Sequence, residues 1–384
     1  MLTSMTAYVC PRCGVHAPAD ALTWCCPQCR GPWDLDFTSA PMSLTSLASR
    51  VNSLWRYEEA LPLATEIPHV TLGEGRTPLV PLDATATGSV SAKLDFLMPT
   101  LSFKDRGAVM LAELARRLAK GGGGVRRVLA DSSGNAGTAI AAYCARAGLD
   151  CAVYVPESTS PKKLEQIRAH GARPTLVPGD REATARAARA AADEPGTFYA
   201  SHVYNPHFLH GTKTYVYELW EELGGRLPDT IVVPVGNGTL LLGAALAVDE
   251  LYGHGLVDRR PPLVAVQAEA VSPLAAAFHA GADELLAPAA ARPTLAEGIA
   301  IPNPPRARQI LRAVRGSGGT FLTVTEDQLR AAQRDLARRG LFVESTGVAC
   351  WAAVRAAPQP GLTVVPLCGA GAKTGLSPSS TYRA

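Results

Sequence analysis

The sequence predicts an α/β fold built from parallel β-sheets, and three observations support this class. From residue 125 onward, short apolar runs typical of buried strands alternate with segments of helical periodicity. Three of these strands end in polar or glycine-rich turns, and a short cysteine-rich segment precedes them all. Because strands that are apolar along their whole length must be covered on both faces, we expect helices on both sides of the sheets.

The composition excludes several classes of protein. The chain has 384 residues, of which 47% are hydrophobic, enough for two or more packed units. Its net charge of +3 provides no basic field for nucleic acid or a membrane surface. No apolar run reaches the length of a membrane span, and the first residues lack the pattern of a signal peptide. We therefore expect a cytoplasmic protein with no nucleic-acid or membrane partner.

The first element is an N-terminal cysteine ribbon. Five of the nine cysteines lie in the first thirty residues. Four of them form two C-x-x-C pairs, Cys10/Cys13 and Cys26/Cys29, a spacing typical of tetrahedral zinc sites. Cys25 is left over, and we do not expect it to bind the metal. Because so small a segment has little core of its own, we predict a structural zinc ion that the ribbon needs in order to fold.

Strands and helices alternate along the rest of the chain. Residues 73–80 form a turn and an extended segment, and a strand at 90–94 precedes a helix that begins near Lys104. The other predicted strands are 125–130, 151–155, 175–177, 231–235, 263–267 and 363–367. The other predicted helices are 47–57, 138–147, 161–170, 181–192, 240–251, 273–279, 327–339 and 346–356. We expect a less regular stretch at 193–230 and a long connection at 281–305.

The lysine at the start of the helix near residue 104 is unusual. The positive end of a helix dipole repels an ammonium group, so a lysine there adds little to stability. A lysine whose pKa is lowered can instead act as a nucleophile and form a Schiff base. The ordinary alternative is a surface lysine whose stem lies over the helix, and the rest of the chain decides between the two.

Three turns at strand ends have the composition of anion sites. Residues 131–137 (Asp-Ser-Ser-Gly-Asn-Ala-Gly) and 234–240 (Pro-Val-Gly-Asn-Gly-Thr-Leu) each join a strand to a helix, and residues 368–374 follow the last strand. Backbone N–H groups at a helix N-terminus bind anions, and parallel sheets bind ligands at the carboxyl ends of their strands. A Schiff-base lysine, a phosphate cradle and a carboxylate-binding turn are together what pyridoxal phosphate chemistry requires.

The segment 101–107, Leu-Ser-Phe-Lys-Asp-Arg-Gly, resembles the signature around the Schiff-base lysine of the threonine synthase family, within the fold type II pyridoxal phosphate enzymes. Further segments match the family in order, namely 132–135, 205–206, 211–214, 236–240 and 368–373. The cysteine ribbon resembles the N-terminal extension of many members. The resemblance covers nearly the whole chain and implies two parallel-sheet domains of the tryptophan synthase β-like kind, plus a small N-terminal zinc ribbon.

The resemblance also implies a role for each matched position. Lys104 would carry pyridoxal 5'-phosphate as a Schiff base and then move protons at the substrate's carbons. The substrate carboxylate would bind at Ser132, Ser133 and Gly134, and Asn135 would contact both the substrate and the ring hydroxyl of the cofactor. The cofactor phosphate would be held by Gly236, Asn237, Gly238 and Thr239, with Leu240 also in the cofactor site. Cys368 stands where the family has a Thr or Ser facing the pyridine nitrogen, and a thiol is a weaker hydrogen-bond donor.

Two departures from the family bear on the substrate. Threonine synthases commonly have an arginine in the Asn-Pro stretch that holds the phosphate of phosphohomoserine, and this chain has Phe208 there. His207 and His210 are the nearby groups that could hold a phosphate instead. Leu101 replaces a glycine that family members usually have before the Ser-Phe-Lys triplet. We therefore expect a substrate with an uncharged or smaller leaving group.

The sequence leaves three functions open. The first is a threonine synthase-like lyase of amino-acid biosynthesis, performing elimination or replacement at Cβ or Cγ of a small amino acid. The second is a β-replacement enzyme such as a cysteate synthase, and the third is a non-catalytic paralogue that binds the cofactor and acts through protein contacts. We expect a homodimer whose chain comprises the ribbon at 1–37, a small α/β domain at 95–180, and a large cofactor-binding domain from 38–94 and 181–384.

Overall fold

The computed structural model describes residues 7–19, 22–63, 69–85, 87–286, 292–373 and 375. The described strands are β1 (Ala7–Val9), β2 (His16–Pro18), β3 (Asp34–Asp36), β4 (Leu79–Thr85), β5 (Gly88–Lys93), β6 (Arg127–Ala130), β7 (Cys151–Pro156), β8 (Arg173–Val177), β9 (Thr197–Tyr199), β10 (Thr230–Pro234), β11 (Leu263–Ala268), β12 (Phe321–Val324) and β13 (Gly361–Pro366).

The described helices are α1 (Leu44–Leu47), α2 (Lys104–Lys120), α3 (Asn135–Ala147), α4 (Pro161–Ala169), α5 (Arg181–Ala192), α6 (His207–Thr212), α7 (Thr214–Glu222), α8 (Thr239–Gly253), α9 (Pro273–His279), α10 (Ala307–Gly316), α11 (Glu326–Arg338) and α12 (Ala349–Ala356). Within the described residues, 3₁₀ segments lie at Leu54–Ala60, Asp95–Leu97, Glu297–Ile299 and Gly371–Lys373. Among the described residues, none of the helices combines the length and hydrophobicity that crossing a bilayer requires.

The chain forms two compact units. The first comprises residues 1–74 and 104–212, and the second comprises residues 75–103 and 213–384. The division into two units does not test the predicted domain boundaries at residues 37, 94 and 180, and these stay a prediction.

The first unit contains a fully parallel sheet and the cysteine ribbon. Its four strands run in the order β8-β7-β6-β9, and the ribbon forms a separate antiparallel sheet in the order β2-β1-β3. The core is formed by α2 and α3 together with the buried strands β6 and β7. The ribbon packs on the same unit, because the Trp24 indole donates to Asp193 at 2.7 Å and meets Tyr199 and Tyr204 edge-on.

The second unit contains a six-stranded mixed sheet. Its strands run in the order β12-β11-β10-β13-β5-β4, all parallel except the edge strand β4, which pairs antiparallel with β5. Every residue of β10 and β11 is buried, as expected for central strands covered by helices on both faces. The two sheets confirm the predicted α/β class with parallel strands.

The predicted helix at 47–57 is wrong. The structure has instead the one-turn helix α1 and the 3₁₀ segment Leu54–Ala60, with a break between them. At that break the Ser53 hydroxyl accepts a hydrogen bond from the Trp55 amide. Arg50 folds back to pair with Glu59 at 2.5 Å. Local side-chain hydrogen bonds of this kind compete with a continuous helix.

The less regular stretch expected at 193–230 contains three regular elements, the strand β9 and the helices α6 and α7. All residues of α6 and the first seven of α7 are buried, so the sequence shows no amphipathic period there. Two elements that the sequence analysis did not assign, α10 and β12, follow the long connection at 281–305. That connection holds only the 3₁₀ segment Glu297–Ile299 among its described residues.

Candidate active site

Lys104 is the first residue of α2, where the sequence predicts a helix start. Its side chain is half-buried, and its Nζ lies 5.4 Å from the centroid of the Phe208 ring. A cation over an aromatic face is attracted by the ring's quadrupole. The amine therefore has a fixed apolar neighbour on one side.

Phe208 belongs to α6, which packs against the first turn of α2. The ring is fully buried, and a Cβ atom built on Gly107 would lie 2.4 Å from its Cγ. Only glycine allows this approach of the two helices. The position at which the family carries its phosphate-binding arginine is therefore inside the core of the first unit.

The predicted carboxylate site lies between β6 and α3. Gly134 is the N-cap residue of α3 in an extended conformation, and its N–H donates to Ser132 Oγ at 3.3 Å. No side chain among the described residues caps this helix. The start of this helix therefore has the geometry of an anion site, as the prediction for Ser133 and Asn135 requires.

Asp131 precedes this turn and was not singled out from the sequence. Burial raises the pKa of its carboxyl to about 6, although the Tyr199 phenol and the charges of Arg181 and Arg189 favour the ionised form. The raised pKa of this half-buried acid could not be predicted from the sequence, because the residues that remove it from water are far away along the chain.

The predicted phosphate cradle lies between β10 and α8 in the second unit. Gly238 is the N-cap of α8 with φ +74°, a left-handed conformation that favours glycine, and the Ile310 side chain fills the space of a Cβ there, 2.4 Å away. This 15-residue helix likewise has no side-chain cap within the described part of the chain. The turn that includes Gly236, Asn237 and Thr239, with Leu240 following, thus presents backbone N–H groups at the carboxyl end of a central strand.

Cys368 lies just beyond β13 in the second unit. It is buried, its Sγ donates to the Pro366 carbonyl at 3.9 Å, and its carbonyl accepts from the Phe103 amide at 3.0 Å. Glu344, which the sequence analysis missed, lies beside it, because a Cβ on Gly369 would be 2.3 Å from a carboxylate oxygen of Glu344. No spacing in the sequence pointed to this glutamate. Thr374, the end of the predicted turn, lies outside the described residues.

Ser102 is the third residue, after Asp131 and Glu344, to which sequence reasoning assigned no role. It lies two residues before Lys104 and bridges to Gly369 in the second unit. Its side chain is fully buried, and its Oγ has no hydrogen-bond partner among the described residues. A buried hydroxyl without a partner is costly unless a ligand satisfies it. The second unit thus has two groups that suit pyridoxal phosphate. The start of α8, which has no side-chain cap, fits the phosphate, and the Ser102 hydroxyl fits a polar edge of the cofactor.

The two histidines proposed as alternative phosphate ligands are buried, and so is the nearby Lys213. The His207 ring contacts Asn205 Oδ1 at 3.1 Å, and burial lowers its pKa to about 3. Lys213, in the matched segment 211–214, is fully buried and pairs with Glu250 at 2.7 Å. His210 is buried and lies edge-on to the ring of Phe37.

The cysteine ribbon brings four sulfur atoms together. Those of Cys10, Cys13, Cys26 and Cys29 all lie within 4.8 Å of one another, and Cys25 is not in the group. Three of the S–S distances are 3.4, 3.5 and 3.7 Å. Sulfurs bound at 2.3 Å to a tetrahedral zinc ion would lie about 3.8 Å apart, so the donor set fits this metal.

The thiols of the ribbon differ in their acidity. Burial opposes ionisation of Cys26, but hydrogen bonds from the amides of Cys29 and Gln28 prevail and lower its pKa to about 7. Burial raises the pKa of Cys25 to about 11. Cys25 therefore stays a thiol that packs against Trp24, Leu129 and the neighbouring apolar side chains.

Comparisons with known proteins agree with this arrangement. A family model described as pyridoxal-phosphate dependent enzyme matches residues 70–369. The chain is 32% identical to the threonine synthase of Methanosarcina acetivorans over 90% of its length and 85% of that protein. It is 36% identical to the threonine synthase of Mycobacterium leprae over 76% and 79% of the two chains. The crystal structure of a threonine deaminase from T.th. superposes with a TM-score of 0.65 and 29% identity, over 79% of this chain and 94% of that one.

Proposed function

Because this chain belongs to the pyridoxal-phosphate-dependent enzymes, in the threonine synthase family, we propose that it is a lyase acting on a small amino acid. The proposed reaction is elimination or replacement at Cβ or Cγ, with a leaving group that is uncharged or smaller than phosphate. The observation that carries the proposal is Lys104, at the start of α2 with its amine against the Phe208 ring.

Lys104 would hold the cofactor through Nζ and handle the substrate's protons. When bound, pyridoxal phosphate withdraws electrons from the substrate's α carbon and so makes its C–H bond more acidic. Lys104 Nζ would take that proton and return one at a neighbouring carbon. The Phe208 ring excludes water from one side of the amine, and a less solvated lysine is a better nucleophile.

The two uncapped helix starts would hold the two anionic groups. The N–H groups of α3, with Ser132, Ser133, Gly134 and Asn135, would bind the substrate carboxylate. The start of α8, from Gly236 to Leu240, would bind the cofactor phosphate.

The remaining polar groups would contact the cofactor's ring. Asn135 would bond the ring hydroxyl, and Cys368 would face the pyridine nitrogen. A thiol leaves that nitrogen without a strong donor, so the ring would remain largely unprotonated there. We further propose that the ribbon binds one structural zinc ion, and that the protein is a cytoplasmic homodimer.

Product analysis tests the proposal most directly. The purified protein, supplied with pyridoxal phosphate, is incubated with free, O-acetylated and O-phosphorylated serine and homoserine, and the released products are identified by mass spectrometry. We expect a keto acid or a replaced amino acid from an unphosphorylated substrate. Product from none of these amino acids, with the cofactor bound, contradicts a lyase and leaves a non-catalytic role. Replacement only at Cβ of phosphoserine would identify the β-replacement enzyme instead.

A further inference from the structure

His202 follows the strand β9 and lies at the same edge of the first unit's sheet as the predicted carboxylate site. It lies three residues after Tyr199, the last residue of β9, and β9 runs parallel to β6 with Tyr199 opposite Leu129. The Ala200 amide continues this pairing by donating to the Leu129 carbonyl at 2.8 Å. Ser132 lies three residues after Leu129, so His202 and Ser132 follow neighbouring strands by the same number of residues.

His202 also shares an aromatic neighbour with Lys104. Its ring meets the Phe208 ring edge-on, with the two centroids 5.8 Å apart. Lys104 Nζ lies 5.4 Å from the same Phe208 centroid. The imidazole and the amine thus border the same ring, at the edge of the sheet where the substrate carboxylate is predicted to bind.

The imidazole of His202 makes no hydrogen bond within the part of the chain that the structure describes. The residue is 8% exposed, and its ring nitrogens are not sealed from solvent. A neutral imidazole has one donor and one acceptor to offer. The ring nitrogens of His202 are therefore accessible to a ligand that enters the site beside Phe208.

The ring is uncharged at neutral pH. Burial is the main cause that lowers its pKa well below the usual range, and the positive charges of Lys104 and Arg181 lower it further. A neutral imidazole offers one N–H donor and one nitrogen acceptor, with no net charge to balance a phosphate dianion. With Phe208 in the place of the family's arginine, neither the Phe208 ring nor the His202 ring carries a charge that would pair with a phosphate.

We propose that His202 is a specificity-determining residue that hydrogen-bonds the side chain of the substrate and selects an uncharged hydroxyl, ester or amide over a phosphate. The inference rests on the proposed function, because it needs an amino acid bound at Lys104. The proposal assigns a hydrogen-bond partner to the ring nitrogens of His202 and specifies the chemistry of the leaving group.

Ligand binding by the holoenzyme tests the proposal without requiring turnover. The dissociation constants of O-acetylserine, O-acetylhomoserine, their O-phosphorylated counterparts and 2-aminobutyrate are measured from the change in cofactor absorbance. The variants are His202→Phe, which keeps a ring but no donor or acceptor, and His202→Asn, which keeps both. His16→Asn, on the exposed strand β2, is the matched control.

We expect His202→Phe to weaken binding of the acetylated amino acids about 10- to 100-fold relative to 2-aminobutyrate, which has no polar side chain. His202→Asn should recover part of the loss, and His16→Asn should match the wild type. If His202→Phe weakened binding of 2-aminobutyrate equally, His202 would have only a structural role. If the wild type bound the phosphorylated compounds more tightly than the acetylated ones, the proposed selection of an uncharged group over a phosphate would be wrong. If the wild-type holoenzyme bound none of these amino acids, the proposed function itself would fail.

Discussion

A Cβ atom on Gly107 would lie 2.4 Å from Cγ of Phe208, so the phenyl ring rests directly on the backbone of the first turn of α2. The same ring faces Lys104 Nζ and the imidazole of His202. Phe208 is therefore at once a core residue and a wall of the candidate site. A substitution there changes the folding of the first unit as well as its chemistry.

Replacing Phe208 by arginine, the residue that the family resemblance implies there, should destabilise the protein. The guanidinium would be buried without a counter-ion, which costs roughly 3–5 kcal/mol. Urea unfolding should show this loss, and the phosphorylated amino acids should gain no affinity. Phe208→Leu, which keeps the position apolar, should lose less stability. An arginine variant of wild-type stability that binds phosphohomoserine more tightly would show that the position opens to the substrate.

Lys104→Ala should abolish the visible absorbance of the bound cofactor. The matched control is Lys120→Ala, at the exposed far end of the same helix, which should leave the absorbance unchanged. The measurement is an absorbance spectrum of each purified variant after dialysis against pyridoxal phosphate and removal of the excess. An unaltered spectrum of the Lys104→Ala variant would contradict the proposal that Lys104 binds the cofactor.

Cys26→Ser should lose the metal, whereas Cys25→Ser should retain it. The first change removes one of four clustered sulfurs, and the second alters a thiol outside that group. Elemental analysis should give about one zinc per chain for the wild type and Cys25→Ser. Equal metal content in the two variants would refute the ligand set. Loss of the metal should unfold the ribbon and leave the cofactor absorbance largely intact.

Asp131 should make the stability of the protein depend on pH between about 4 and 6. Burial raises its pKa from 3.8 to about 6 in the folded state, so folding favours the protonated acid. Its stabilising contribution is complete below pH 3.8 and is lost as the pH rises through 6. The change corresponds to at most about 3 kcal/mol.

Asp131→Asn removes this titration. The free energy of unfolding of the variant, relative to the wild type, should therefore rise between about pH 4 and pH 7. Urea unfolding at a series of pH values measures it. A difference between the two proteins that does not vary with pH would contradict the assignment.

Most of the fold, including the helix that begins at Lys104, followed from the sequence for identifiable reasons. The strands and helices around residues 125–192 and 231–279 were predicted because their apolar residues recur with a clear period and end at glycine or proline. The helix α6 was missed because it is buried on every side. The buried hydroxyl of Ser102 and the position of His202 beside Phe208 were also missed, since both depend on the packing of the folded chain and not on local pattern.

The backbone at Leu101 gives the last prediction. Leu101 has φ +62°, in the left-handed region, although it is not a glycine. Its amide donates to the Met98 carbonyl at 2.7 Å and its carbonyl accepts from the Ala370 amide at 3.0 Å, so the backbone is held on both sides. This conformation costs an L-residue about 1–2 kcal/mol. It also gives a physical reason for the glycine that family members usually have at this place.

Leu101→Gly should relieve that strain. The gain is offset in part because glycine is more flexible in the unfolded chain, which leaves a net stabilisation of about 0.5–1 kcal/mol. Leu101→Asn should also stabilise the protein, since asparagine tolerates the left-handed region. Leu101→Ala, which keeps the strain and trims a side chain that is 40% exposed, is the control. Urea unfolding separates the cases: if Gly and Ala give equal stability, the backbone at residue 101 is not strained.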